Sequence, residues 1–554
     1  EAGQGLVTVG ELLAKSLVRA GWHIVVTQSY MSRIRGGHNT FAIRACAAPI
    51  HAPGESVDLL VAFNEETARL HEGELTPSGA IIADEALHMP VKACCLKAPF
   101  KTLAPANLVN VAAFGVAGYL LNIEETALRA VVDSYFGTRK AELVEGNRLA
   151  VAKAYAWASA QSPVFPRPVP PVPSGKRLMM NGNDAIAMGA LSAGVKFCSF
   201  YPMTPSTSIP LALAKHAGEM GLVVEQAEDE IAAVNMAIGA SFAGAPSLVA
   251  TSGGGFALMV EGVSLAGMTE TPVVIVVGQR PGPATGLPTR TEQGDLNFVL
   301  HAGHGEFPRA IFAPGSVEEC FDLTRKAFLL AERCQGPVFI LTDQYLADSY
   351  RDVAPFNIEE LPRVEHRGRG QGETPYRRYA LTASGISPRL LPGIGKDLVV
   401  ADSDEHTDDG HITEDLDVRR AMVEKRMRKL EAMKADIEAP RHGGNHAPEI
   451  LLVSWGSSLG AVIQTVETLL QRGIRAGNLH FPQVWPLAPE LFAPYLDSAA
   501  KIVIVEGNAT GQFADLIRRE TGIVATSRIL RYDGLPITPR HILDALKNQG
   551  LIGG

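Results

Sequence analysis

Cysteine is scarce in this chain: six among 554 residues, at positions 46, 94, 95, 198, 320 and 334. None forms a CxxC pair, and the adjacent Cys94 and Cys95 suit neither a chelate nor a disulfide. The expected state is a set of buried structural thiols in a reducing compartment, the cytoplasm. Any iron–sulfur cluster that works with this chain is then expected to be ligated mainly by another chain. Long apolar runs are missing too, with no stretch of the ~18 residues that a membrane helix needs. No basic segment followed by an apolar one opens the sequence as a secretion signal does. Basic residues do not predominate: the net charge is −9, which argues against nucleic acid as the main partner. There is no phosphate-binding loop with its lysine and no complete GxGxxG of a nicotinamide-binding dehydrogenase. His301 and His304 lack a clear third ligand, and Gly410 and Leu416 break the register of a calcium loop over Asp402–Asp409. No metal site is expected on this chain, and the acidic stretch reads as a solvated loop.

What is present is an ordinary globular composition, 46% hydrophobic and 20% charged, with length for roughly three or four domains. The alternation of β-rich runs and helical patterns predicts an α/β fold of three parallel-sheet domains. Residues 1–160 read as a small α/β domain, with a helix over 8–20 and strands at 23–26, 41–46, 59–63 and 81–83. Residues 161–175 hold a stretch, SPVFPRPVPPVP, with six prolines, a stiff extended linker. Residues 176–360 form a second α/β unit, with helices at 183–193, 205–217 and 228–243 and strands at 248–251, 273–277 and 338–342. Residues 361–447 turn polar: Arg367-Gly-Arg369-Gly, the acidic stretch, then a charged helix over 417–437. They read as a long ordered arm. Residues 448–554 return to α/β as a third domain. The chain opens on Glu1-Ala2-Gly3-Gln4-Gly5, a glycine-rich turn without the strand that normally precedes one, so a few further residues are expected ahead of it.

Four motifs carry candidate chemistry. In Glu228-Asp229-Glu230, the acids suit a helix start on dipole grounds alone. Behind Glu230, however, Ala233, Ala237 and Ala240 fall at helical spacing and make a small-residue face that admits a ligand or another backbone. A carboxyl among Ala and Gly is desolvated, its pKa is raised, and it can share a proton with a bound base. Thr251-Ser252-Gly253-Gly254-Gly255 follows a strand, as a turn that either presents backbone N–H groups to a ligand or merely packs tightly. In Tyr201-Pro202-Met203-Thr204-Pro205-Ser206-Thr207, Thr204 is held rigidly between prolines, either toward a ligand or as an N-cap, and Pro205 is expected to open the next helix. Finally, 279–295 (QRPGPATGLPTRTEQGD) follows a strand, where parallel sheets bind ligands. An arginine there either clamps a carboxylate bidentately or pairs with Glu292 or Asp295.

Together YPMTPST, EDEIAAVNMAIGASFAGA, TSGGGFALMVEG, MTETPVVIV and PGPATGLPTRTEQGD resemble the α subunit of the 2-oxoacid:ferredoxin oxidoreductases. The likeness is nearest to the 2-oxoglutarate-using branch (2-oxoglutarate synthase), where a γ domain is fused ahead of α. The initial GQG, Gln28-Ser29-Tyr30 and Arg33-Ile34-Arg35-Gly36-Gly37-His38 are similar to that γ domain. VEGNATGQ at 505–512 and PITP at 536–539 resemble the family's transketolase C-terminal-like domain. The resemblance implies a γ-type domain, a thiamine-diphosphate pyrimidine-binding domain and that third domain, in order. It implies that Glu230 meets the aminopyrimidine ring and promotes the tautomer that forms the ylid. Thr204 would contact substrate with Ser206, and Arg290 would bind the 2-oxoacid carboxylate. Tyr201, Pro202, Thr204, Ser252, Gly253 and Gly254 would line the cofactor. Thiamine enzymes anchor the diphosphate through Mg2+ with a GDG followed by Asn, and no GDG occurs here. The resemblance therefore implies a β subunit carrying the diphosphate, Mg2+ and [4Fe-4S] sites, an (αβ)2 assembly, ferredoxin as electron acceptor and coenzyme A as acyl acceptor. Three alternatives stay open: another 2-oxoacid such as pyruvate, a non-catalytic assembly subunit, and a nicotinamide-binding dehydrogenase.

Overall fold

The computed structural model describes residues 5–31, 37–88, 93–137, 141–161, 165–173, 175–364, 375–394 and 396–553. Most of the initial GQG, Arg33–Gly36 of the γ-like motif and the Arg367–Gly370 segment lie outside the described residues. The fold is α/β with several parallel-rich sheets. By internal contacts the chain forms two compact units, one made of residues up to Met179 with Ser349–Pro355, the other of the rest.

The first unit holds a parallel sheet, Val57–Ala62, Leu75–Asp84 and Cys94–Ala98, in that order. Its second sheet is antiparallel: His23–Ser29 pairs with Thr40–Cys46 on one side and with Arg351–Val353 on the other. The first unit thus joins an antiparallel sheet to its parallel one, because the short connection from 23–29 to 40–46 suits an antiparallel partner. The helix Leu6–Arg19 lays Val9, Leu12 and Leu17 into a core with Phe100, Phe114, Val132 and Val151. The proline-rich stretch, where described, forms neither helix nor strand and is fastened to this unit: Arg167 lies over the Tyr119 ring at 4.1 Å, and Asn122 donates to the Pro168 carbonyl at 3.1 Å.

The second unit is built on a seven-stranded sheet in the order Gln483–Trp485, Ala310–Phe312, Pro337–Asp343, Val273–Gln279, Ser247–Thr251, Phe197–Phe200, Val223–Gln226. All neighbours are parallel except the pair made by Gln483–Trp485. VVIVVGQ and PVFILTD are buried throughout, as strands covered on both faces must be. The chain runs from Phe197–Phe200 outward to the edge strand, then crosses back to Ser247–Thr251. The order thus reverses between these two strands, and the carboxyl ends at such a reversal are where open α/β sheets bind ligands.

A second sheet runs Arg441–Gly444, Ala476–Phe481, Ile450–Trp455, Ile502–Glu506, Ser527–Leu530, with only the first strand antiparallel. It shares one core with the seven-stranded sheet: Val249, Phe256, Ile275 and Phe339 pack in the same cluster as Leu451, Trp455, Phe481 and Phe513.

The polar arm is ordered by charge. Its helix, Leu416–Lys434, buries Lys425 and Lys429 on Glu270, with Nζ of Lys425 at 2.5 Å. Arg378 donates to the Glu270 carbonyl at 2.7 Å. Burial alone would raise the Glu270 pKa, but Lys429, Lys425 and Arg378 outweigh it and hold the carboxyl down to about 2. The acidic stretch is less solvated than expected: Arg426 donates to Glu405 at 2.9 and 3.0 Å, and Arg377 pairs with Asp408. The cysteines also depart from expectation. Cys198, Cys320 and Cys334 are buried, whereas Cys46 and Cys95 are half-buried and Cys94 is exposed, on a strand of the smaller sheet. Among the described residues no cluster of metal-ligating side chains converges, and no helix is long and apolar enough to cross a membrane.

Candidate active site

All four sequence motifs meet near the carboxyl ends of Phe197–Phe200 and Ser247–Thr251. Asp229 caps the helix Glu230–Phe242, its side chain accepting from the Ala232 N–H at 2.8 Å. Glu230 is therefore the first helical residue, and it is only 3% exposed. Its Oε1 has no hydrogen-bond partner among the described residues. Burial pushes the Glu230 carboxyl up, its own backbone N–H opposes this, and Asp229 adds to it.

The alanines behind Glu230 do something other than admit a ligand. Ala233 and Ala237 are wholly buried in the core, and the Ser199 hydroxyl donates to the Ala233 carbonyl at 2.6 Å. The small face admits a strand backbone.

The glycine run is not a turn. Gly253–Gly255 are the first residues of the helix Gly253–Met268, with Ser252 extended ahead of it and its carbonyl accepting from Phe256 N–H at 2.8 Å. Free N–H groups at this end therefore belong to a helix terminus. Ser252 is wholly buried and its Oγ has no partner among the described residues. Gly255 faces Glu230: a Cβ there would lie 2.3 Å from Glu230 Oε1 and 2.2 Å from Thr251 Oγ1. Sequence reasoning put weight on Ser252, Gly253 and Gly254 and missed Gly255, whose necessity depends on which side of the helix meets the carboxyl.

Thr204 lies in a turn, with a cis Thr204–Pro205 peptide, and the helix starts only at Ser208. Pro205 thus does not open the helix, and Thr204 is not its N-cap. Two side chains hold this turn by successive carbonyls. Arg280 donates to Thr204 O at 2.8 Å, and wholly buried Asn183 donates to Pro205 O at 2.8 Å and to Ser208 Oγ at 2.7 Å. Ser206 is spent inside the turn, its Oγ donating to Met203 O at 2.8 Å, so its hydroxyl is turned to the backbone. Tyr201 and Pro202 are exposed on the rim.

The segment after Val273–Gln279 carries Arg280 and Arg290. Arg290 is half-buried, and its Cβ lies 3.1 Å from the position that a Cβ on Gly534 would take. Asp295 lies over Gly253, where a Cβ would meet its Oδ2 at 2.5 Å. Burial pushes the Asp295 carboxyl up to about 6, against the pull of Arg280. Arg280 and Asp295 were within the quoted motif but not among the expected site residues; their signal is spatial, two ends of one segment folded over a helix terminus. The arrangement brings together a raised carboxyl, a hydroxyl without a partner among the described residues and helix N–H groups, with Arg280 and Asp295 beside them.

The family profile described as pyruvate flavodoxin/ferredoxin oxidoreductase, thiamine diP-bdg, matches residues 188–425, and that described as pyruvate ferredoxin/flavodoxin oxidoreductase matches residues 1–157. The 2-oxoacid:ferredoxin oxidoreductase subunit alpha of a Sulfolobus species is 32% identical over 98% of this chain and 95% of its own length. The 2-oxoglutarate synthase subunit KorA of Archaeoglobus fulgidus is 32% identical over 67% of this chain and 99% of its own. A solved structure of the 2-oxoglutarate:ferredoxin oxidoreductase from Magnetococcus marinus, with 2-oxoglutarate, coenzyme A and succinyl-CoA bound, superposes with a TM-score of 0.91 at 30% identity. It covers 99% of this chain and 98% of that one.

Proposed function

This chain belongs to the 2-oxoacid:ferredoxin oxidoreductase family, and we propose that it is the α-type half of an enzyme converting 2-oxoglutarate and coenzyme A to succinyl-CoA and CO2 while two electrons reduce ferredoxin. The observation that carries this reading is the buried Glu230 carboxyl, with one oxygen unpartnered, facing the helix terminus at Gly255 inside the family's thiamine-diphosphate-binding domain. The residues fit that cofactor, since a ring nitrogen would satisfy Glu230 Oε1 and a polar group would satisfy Ser252 Oγ. When bound, thiamine diphosphate supplies the nucleophilic carbon for a 2-oxoacid carbonyl and accepts the electron pair left by CO2.

Glu230 keeps a proton available at Oε1, because burial disfavours the carboxylate, and shares it with the aminopyrimidine nitrogen. Ser252 and the N–H groups of Gly253 and Gly254 hold polar atoms of the cofactor at the helix end, with Tyr201 and Pro202 on the rim. Thr204, set by Arg280 and Asn183, orients the substrate, and Arg290 grips its carboxylate. A β subunit completes the site in an (αβ)2 assembly, bringing Mg2+, the diphosphate contacts and a [4Fe-4S] cluster; relatives named as α subunits support a partner. The choice of 2-oxoglutarate rests on the printed names of the Archaeoglobus and Magnetococcus relatives. With strongly reducing ferredoxin the same site runs in reverse and fixes CO2, in the cytoplasm.

The test is a complex of this chain with its β subunit, assayed on a panel of 2-oxoacids with coenzyme A and ferredoxin. 2-Oxoglutarate should give the highest kcat/KM. Glu230→Gln should lower kcat by about 10²–10⁴ while the complex assembles and melts no lower than wild type. Preference for pyruvate would replace the substrate, and wild-type turnover in E230Q would refute the mechanism.

A further inference from the structure

The segment that carries Arg290 is stitched to the C-terminal sheet, with the side chain of Gln293 at the centre. Gln293 is 3% exposed and uses every polar atom on atoms of that sheet's loops. Its Nε2 donates to Trp455 O at 2.9 Å, and its Oε1 accepts from Gly507 N–H at 2.8 Å. Its own N–H donates to Gly507 O at 2.6 Å, and its carbonyl accepts from Asn508 Nδ2 at 3.2 Å. The seat is cut for it: a Cβ on Gly456 would lie 2.7 Å from Nε2, and one on Gly507 would lie 3.1 Å from Oε1. Gln512 flanks the clamp, donating to Gly294 O at 2.7 Å and accepting from Asn297 N–H at 2.9 Å. On the other flank Thr291 N–H donates to Gly534 O at 3.2 Å. Residues 291, 293, 294 and 297, which follow Arg290 by one, three, four and seven positions, are all held by the C-terminal sheet or the segments beside it.

A buried amide bonded through both its nitrogen and its oxygen favours one geometry, since a shift strands a donor or an acceptor in a dry site. We propose that Gln293, seated between Trp455 and Gly507, is a positioning residue that sets Arg290 for the 2-oxoacid carboxylate. The C-terminal sheet then acts in substrate recognition without touching substrate. This rests on the reading of Arg290 as the carboxylate clamp. A guanidinium displaced by about 1 Å loses bidentate geometry, so the loss should fall on substrate affinity.

The experiment uses the complex with the β subunit and four variants: Gln293→Leu, Gln512→Ala, Arg290→Ala and the double variant R290A/Q293L. Q293L should raise the KM for the 2-oxoacid at least tenfold, with kcat and the Kd for thiamine diphosphate within about twofold of wild type. Q512A, at a half-buried position that tolerates truncation, should raise KM in the same direction by less, and it keeps the test alive if Q293L fails to fold. The double variant should be no worse than R290A alone, because a residue that acts through Arg290 has nothing left to position. If R290A raises KM while Q293L and Q512A leave it unchanged, or if the R290A and Q293L effects multiply, the clamp is overturned and the carboxylate reading stands. If R290A leaves KM unchanged, the carboxylate reading falls and the clamp's role falls with it.

Discussion

Gly255→Ala is the sharpest probe of the Glu230 site. The added methyl would lie 2.3 Å from Glu230 Oε1 and 2.2 Å from Thr251 Oγ1, whereas ordinary contacts start near ~3.4 Å. About 1 Å must be made up. Thr251 is wholly buried in the middle of the seven-stranded sheet, and the glycine backbone is fixed by the helix start, so Glu230 is the group that moves. A shift of about 1 Å turns a ~2.8 Å hydrogen bond into a ~3.8 Å separation, which is no bond. A misplacement of that size costs about 10²-fold in rate. Stability should change less: overpacking costs about 1–3 kcal/mol, and Ala for Gly in a helix returns about 0.5–1 kcal/mol. The assay is kcat for 2-oxoacid-dependent ferredoxin reduction by the complex, alongside thermal unfolding. Gly239→Ala is the control, because it lies in the helix that Glu230 heads and a Cβ there meets nothing within 4 Å; it should leave kcat alone and stabilise slightly. A G255A enzyme that keeps kcat within about threefold of wild type would refute the reasoning, since the carboxyl would then be dispensable or elsewhere.

Two more outcomes follow from the charged groups. Glu270 is the one acid among Lys425, Lys429 and Arg378, so Glu270→Gln leaves buried cations unpaired and should cost about 3–5 kcal/mol. Lys429→Met should cost less, because Lys425 still pairs with Glu270 at 2.5 Å. Denaturant unfolding gives the order, and a larger loss in K429M would contradict the account. Asp295 titrates near 6 in the folded chain against ~3.9 unfolded. The folded state therefore holds an extra proton between these values, and stability contributed by the protonated form is full below ~4 and is lost as pH rises through about 6. Asp295→Asn should remove that slope from a plot of unfolding free energy against pH; an unchanged slope between pH 4 and 6 would show that another group carries it.

Much of the architecture was legible because local pattern and tertiary demand agree. The runs at 248–251, 273–277 and 338–342 are strands with one or two residues more at their ends, because β-branched runs have nowhere else to go. Helices at 183–193 and 228–243 appear within two residues of expectation, their starts set by the Asn181 and Asp229 caps. The helix expected from Pro205 was the failure. Ile209 and Leu213 are buried along the helix that does form from Ser208, but the turn at 203–206 is held by Arg280 and Asn183 from distant segments, which no local rule registers. The polar arm is ordered and without a core of its own, as its low apolar content implies; what local pattern does not register is the cause of the order, ion pairs on Glu270, Glu405 and Asp408.

The sequence by itself determined the family resemblance, the alternation of strands and helices, and the residue types of the site, because these depend on local order along the chain. Only the tertiary structure decided what those residues face. Burial without a partner makes Glu230 a raised acid, and burial beside cations makes Glu270 a depressed one. Both open with the same side chain, and the difference is the field around each. Ser206 turned inward to Met203, Gly255 against a carboxyl and Gln293 seated between Trp455 and Gly507 are likewise consequences of segments up to 214 residues apart meeting. That proximity is set by the order of strands in the sheets, and strand order is a property of the folded chain.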